Sequence, residues 1–333
     1  MNILYLSCHS ILEYQEVKLF TELGHNVLSL GAYQNPAQPQ DVKRPPINGF
    51  YDDALQAIAI QTSKENLHPE LIEWADWIVV MHREDWITGN WDKFGRKKVV
   101  WRTIGQSIPD IEARMSLPKA MGMKIVRYSP EEATMENYAG QDAMIRFYAD
   151  PQEYCGYTGE INKVMTVAQS MKKRDKYCGY DIMQSASEGY GRVVFGPGNE
   201  EIDFQGGLLS YAELKEAYRK HRVYFYTGTY PASYTLNFME AMMTGIPIVA
   251  IGRKLADLKI FPGMDCYEVD KIIQNGVNGF VSDDIDELRI KIGFLLDNPV
   301  VAKKIGEAGR KTAIELFGKE KIKQQWKEFF ATL

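Results

Sequence analysis

Residues 224–251 (YFYTGTYPASYTLNFMEAMMTGIPIVAI) gather the residue types that hold an anionic ligand. A β-compatible run ends in a loop of small and hydroxyl-bearing residues. A short helix containing Glu240-Ala241-Met242 follows, and Gly245-Ile246-Pro247 turns into a second strand. Such a loop delivers free backbone N–H groups to a helix N-terminus, a setting suited to a diphosphate. Glu240, near the middle of that helix, is placed to accept hydrogen bonds from the vicinal hydroxyls of a ribose. Periodicity alone favours a surface glutamate on a core helix. His82 directly follows the apolar run Trp77–Met81, at a strand's carboxyl end, where open α/β sheets place their ligands; a surface-loop histidine is the plain alternative. Arg102-Thr103-Ile104-Gly105-Gln106 stands in the same position after the next strand, and His9 in the loop after the first.

Other chemistries find little support. The four cysteines (Cys8, Cys155, Cys178, Cys266) and five histidines are dispersed, without metal-ligand or redox spacing. No GxGxxG fingerprint or P-loop follows an apolar run, which disfavours a dinucleotide dehydrogenase and a P-loop hydrolase. A formal net charge of −5 argues against nucleic acid held by bulk electrostatics. Lys and Arg do cluster, at Arg96-Lys97-Lys98 and Lys172-Lys173-Arg174, runs that are mostly solvated faces. No run approaches the roughly 18 apolar residues of a membrane span. Met1 to Leu6 lacks a basic flank and a cleavage site, so it reads as a buried strand in a cytoplasmic protein.

The elements that must position these residues alternate. Strand 3–7, helix 16–23 and strand 25–30 open the chain, with Val17, Phe20 and Leu23 on one helix face and Gly24 ending it. A proline-rich loop over 34–46 follows. Next come a helix at 69–74, strands at 77–81 and 98–102, a helix at 109–115 and a strand at 123–128. From Asn162 the pattern restarts: strand 163–168, helix 180–187, strand 192–195, helix 211–221, strand 223–226, helix 236–243, strand 246–251. A strand near 279–281 and helices at 285–297, 300–317 and 319–330 complete it, the last with Trp326, Phe329 and Phe330 on one stripe. This alternation predicts an α/β protein of two Rossmann-like, doubly wound domains. The expected bounds are 1–155 and 156–317, with a terminal helix over 318–333 packing back on the first domain.

The motif resembles the donor-binding signature of the family 4 retaining glycosyltransferases, which have the GT-B fold. Glu240-Ala241-Met242-Met243-Thr244-Gly245-Ile246-Pro247-Ile248-Val249-Ala250 is similar to the family's Glu-Ala-Met-Ala-x-Gly-x-Pro-Val-Val-Ala. Asn275-Gly276-Val277-Asn278-Gly279-Phe280-Val281, residues 207–218 and Leu23-Gly24-His25-Asn26-Val27 resemble further family segments. The likeness touches most of the chain and is strong over about the last third. It departs at one point: where the family has a first glutamate, eight residues before the second, this chain has Ala232. The Gly-rich loop of the family is replaced by Pro231-Ala232-Ser233-Tyr234-Thr235.

The resemblance implies two domains facing a central cleft, the first for the acceptor and the second for a nucleoside-diphosphate sugar, UDP being favoured. It implies transfer to a hydroxyl with retention, no metal and no cofactor beyond the donor. Thr229, Ser233, Tyr234, Thr235, Leu236 and Glu240 are the expected donor-binding residues. Arg174 and Lys176 fall near the family's diphosphate-neutralising cations, and His82 where family members place a sugar-facing histidine. Cations there stabilise the charge that builds on the leaving diphosphate. The acceptor stays open among carbohydrate, lipid, small metabolite and protein, with nucleic acid only as a modified acceptor. A non-catalytic sugar-nucleotide-binding protein and a sugar-nucleotide epimerase are the alternative readings.

Overall fold

A computed structural model describes residues 1–31, 47–63, 66–258 and 264–331, so the predicted loop over 34–46 lies outside the described residues. The chain divides into two units, Met1–Phe147 with Ile322–Leu333, and Tyr148–Lys321. The first break precedes the expected one at 155. Residues after Phe147 bond within the second unit, where Arg310 donates to the Pro151 carbonyl at 2.7 Å and Tyr154 to Glu240 at 2.7 Å.

Unit 1 is built on strands β1 (Asn2–Leu6), β2 (Asn26–Ser29), β3 (Trp77–Met81), β4 (Lys98–Arg102), β5 (Lys124–Arg127) and the two-residue β6 (Ala143–Met144). They form one sheet in the order β2-β1-β3-β4-β5-β6, every pairing parallel. β3 is buried at every residue, as a strand covered on both faces must be. One face carries Leu4, Leu6, Ile78, Val80 and Trp101 against Leu71, Trp86, Ile87, Phe94 and Met115. On the other, Phe20 of the helix Ser10–Glu22 meets Trp326 of the helix Lys319–Ala331 at a ring distance of 4.9 Å, and Phe330 meets Trp77 at 5.3 Å.

Unit 2 holds β7 (Ile161–Val167), β8 (Arg192–Phe195), β9 (His221–Tyr226), β10 (Ile248–Ile251) and β11 (Phe280–Ser282) in the order β11-β10-β9-β7-β8, again all parallel. Both sheets are therefore doubly wound. From β7 the chain moves outward to β8, and from β9 outward to β10. The crevice between the carboxyl ends of β7 and β9 is the point where winding direction reverses, the usual ligand position in such sheets. β1 and β3 bound the equivalent point in unit 1. Among the described residues no helix is long and apolar enough to cross a membrane.

Candidate functional site

At the reversal point of unit 2 the chain leaves β9 at Tyr226 and enters the loop Thr227-Gly228-Thr229-Tyr230-Pro231-Ala232. Gly228 takes a φ of 79°, a conformation that side chains resist. Two bonds tie this loop to the short helix Asp175–Cys178 beyond β7: Thr227 Oγ1 donates to the Cys178 carbonyl at 2.6 Å, and the Tyr230 amide to the Tyr177 carbonyl at 2.9 Å. The tied segments wall a cavity, lined on one side by Lys176, Tyr177 and Thr229 with Ala232 and on the other by Ile251 and Tyr267. Tyr267 is held there by its hydroxyl, which donates to the Ile251 carbonyl at 2.7 Å.

The helix Leu236–Thr244 starts beside this wall. Thr235 is its N-cap in extended backbone, and no side chain caps the first turn. Asn237 in that turn donates to the Val167 carbonyl at 2.6 Å, anchoring the helix start to the end of β7. An uncapped first turn fixed at a strand's carboxyl end presents N–H donors and a positive dipole end to an anion. Asn237, Thr227 and Tyr267 were not among the sequence candidates. The signal for Thr227 and Asn237 was position: each is the polar residue nearest the end or start of its element.

The candidate residues separate by burial. Thr229 and Lys176 line the cavity. Thr235 and Leu236 stand half-buried at the helix start. Tyr234 turns inward, 2% exposed, its ring 5.2 Å from Phe317. Ser233 is fully buried, and its Oγ has no hydrogen-bond partner among the described residues. Arg174 is exposed and directs Nη1 at the Gln169 carbonyl, 3.4 Å away, rather than into the cavity lining.

Glu240 differs most from expectation. The helix Leu236–Thr244 is buried from Phe238 onward, and the Glu240 carboxylate, 2% exposed, accepts from Tyr154 Oη at 2.7 Å and Tyr218 Oη at 3.4 Å. It does not line the cavity. In this geometry the carboxylate fastens the helix to its neighbours.

In unit 1, His82 follows β3 with a φ of 61°, the left-handed region that histidine enters only occasionally. Its amide donates to the Arg102 carbonyl at 2.8 Å and its own carbonyl accepts from Trp101 Nε1 at 2.9 Å, so the backbone is fixed between β3 and β4. Burial lowers its pKa from 6.5, which keeps the ring neutral at pH 7, and Nδ1 is buried without a hydrogen-bond partner among the described residues. His9, in the loop after β1, caps the helix Ser10–Glu22 by accepting from the Leu12 amide. Arg102 is not open to a ligand: fully buried, it pairs with Glu16 at 2.7 Å, donates to the Ile145 carbonyl at 2.7 Å and lies 4.0 Å from the Phe147 ring centre.

No protein-family model matches the sequence. Over 92 residues the chain is 29% identical to the MMP alpha-(1->4)-mannosyltransferase of Mycolicibacterium hassiacum; the stretch makes up 28% of this chain and spans only 20% of that relative. Solved structures match along the whole length. Sucrose-phosphate synthase from Thermosynechococcus elongatus superposes with a TM-score of 0.71 at 13% identity, covering 100% of this chain and 98% of that one. Anabaena HepE, solved in complex with UDP-glucose, does so with a TM-score of 0.71 at 15% identity, covering 100% of each chain. The fold is the GT-B architecture of such glycosyltransferases, two Rossmann-like domains each built on a parallel sheet.

Proposed function

We propose that this chain is a glycosyltransferase that moves a sugar from a nucleoside-diphosphate sugar, UDP being favoured, to an acceptor hydroxyl with retention and without a metal. The carrying observation is the unit 2 cavity, walled by the loops that follow β7 and β9, the second of which runs on into an uncapped helix start. The fold shared with HepE, whose structure holds UDP-glucose, supports the same reading. Unit 2 takes the donor and unit 1 the acceptor.

In this reading the first-turn amides after Thr235, with Thr229, bond the diphosphate. The bond from the sugar's anomeric carbon to the phosphate oxygen breaks and the acceptor oxygen forms a new one. Negative charge gathers on the departing diphosphate, where Lys176, which lines the cavity, stabilises it. The acceptor's proton passes to the departing phosphate. His82, neutral, offers a hydrogen bond in unit 1 from a backbone position that leaves it little freedom.

Ala232 favours a second reading, a sugar-nucleotide-binding protein without transfer. Ala232 lines the cavity at the position where the resemblance leads one to expect a carboxylate, so the donor sugar loses the acceptor that this side chain would supply. One experiment separates the two. Sugar release and transfer are measured with UDP-glucose, UDP-galactose, UDP-N-acetylglucosamine and GDP-mannose, with and without EDTA, for the parent and for Ala232→Glu. The proposal expects EDTA-resistant turnover by the parent on at least one donor and an altered donor preference in Ala232→Glu. Nucleotide binding with no turnover on any donor would establish the second reading instead.

A further inference from the structure

Trp77, Lys98 and Lys124 begin β3, β4 and β5, so the amino ends of three adjacent strands carry these side chains to one end of the unit 1 sheet. His82 lies at the opposite end. A groove at the amino end is lined by Trp91, Phe94, Met121 and the cations Arg96, Lys97, Lys98 and Lys124, with Asp92 the one carboxylate in its lining. In a chain of formal charge −5 this is a local reversal of sign.

The groove gathers four positive charges against one carboxylate. Lys97 Nζ donates to a neutral group, the Glu73 carbonyl, at 2.9 Å. Lys98 Nζ lies 5.0 Å from the Trp77 ring centre. Lys124 is 3.5 Å from Asp142, whose other oxygen already bonds Lys119 and the Ile125 amide. Arg96 is exposed. Beside them, the Met121 amide bonds the Leu117 carbonyl at 3.0 Å, which sets the two residues one turn apart on the same helix face. Leu117 is 68% exposed and Met121 61%. Apolar side chains standing in water within a cationic surface are the pattern of a protein that lies on a charged membrane.

We propose that this end of unit 1 docks on the surface of an anionic bilayer. Lipid phosphates enter the groove and meet Arg96, Lys97, Lys98 and Lys124. Leu117 and Met121 reach the boundary of the acyl chains, and Trp91, half-exposed at the groove, sits at headgroup level, where tryptophan concentrates. A soluble phosphate would satisfy the cations but give Leu117 and Met121 nothing to cover them. The inference uses no donor-site residue and stands independently of the proposed transfer reaction.

The test is sedimentation of the full chain with vesicles of phosphatidylcholine alone, and of phosphatidylcholine mixed with phosphatidylglycerol. The expected result is binding to the mixed vesicles only, released by salt as the charges are screened. Arg96→Gln with Lys97→Gln should weaken it about fivefold for each charge removed. Leu117→Ser with Met121→Ser should weaken it with the charge unchanged. Thermal unfolding of both double variants controls for their fold. Equal binding to the two vesicle types would overturn the proposal. So would binding indifferent to Leu117→Ser with Met121→Ser, or complete displacement by soluble glycerol phosphate at matched ionic strength; either would leave a plain anion site.

Discussion

Glu240 accepts from two tyrosine hydroxyls in a nearly dry position, and its removal takes that acceptor from both. Losing a buried hydrogen bond to a charged group costs about 1.5–3 kcal/mol. Glu240→Ala should therefore lower unfolding free energy by about 2 kcal/mol in urea titration, with nucleotide affinity falling only as far as the helix start shifts. Unchanged stability together with lost affinity for UDP would return the carboxylate to the ribose. His82 gives a pH-dependent counterpart. Burial sets its folded pKa below 6.5, so as the pH falls the unfolded chain takes the proton first. Its contribution is whole above about pH 6.5 and is lost as the pH drops through the depressed value. Buried Glu16 and Glu132, whose pKa values burial raises, act in the opposite sense, and they are common to parent and variant. His82→Asn keeps a residue type that tolerates positive φ and removes the proton. Its Tm should fall less steeply than the parent's between about pH 7 and about pH 5; equal slopes would show that His82 carries no such penalty. The direction in which Glu240 points was not legible in the sequence, because Tyr154, which fixes it, lies 86 residues away. The cavity loop was legible, since its glycine and hydroxyl residues follow directly on a strand.

Elements with a sharp local signature were read to the residue. The apolar runs Trp77–Met81 and Lys98–Arg102 and the helix Ile285–Asp297, whose N-cap Asp284 accepts from two amides, begin and end where expected. The first helix was expected from Glu16 and starts at Ser10, because Glu13, Gln15 and Glu16 are buried polar residues that interrupt an apolar stripe. The helices Asp53–Ile60, Glu84–Thr88 and Trp91–Phe94 were missed; the latter two are too short for a period to show. Gly245-Ile246-Pro247 has a cause beyond its resemblance. Gly245 ends the helix Leu236–Thr244 at a φ of 92°, and a Cβ on Gly306 of the helix Pro299–Phe317 would lie 1.9 Å from the Gly245 carbonyl oxygen. The two backbones approach too closely for a methyl group. Gly306→Ala should destabilise unit 2 by about 1–3 kcal/mol in chemical unfolding. A variant as stable as the parent would mean that the helices part without cost.

On the scale of the molecule, unit 1 is made of two pieces of chain that flank unit 2 in sequence. The second piece carries Trp326, Phe329 and Phe330, all buried against unit 1. A chain ending at Phe317 forfeits burial worth roughly 1.5–3 kcal/mol for each of these rings, and it uncovers Phe20 and Trp77. Urea unfolding of that truncation should show a large loss of stability; full stability would refute the covering role of the helix. The same discontinuity orders events during synthesis. Residues 1–147 leave the ribosome without the helix that completes their sheet, and the helix arrives only after about 170 further residues have been added. At translation speeds this is a delay on the order of ten to thirty seconds. Unit 2, being continuous, can fold within that interval, whereas the sheet face carrying Trp77 stays open until the last helix emerges. That interval is when a chaperone would find this chain.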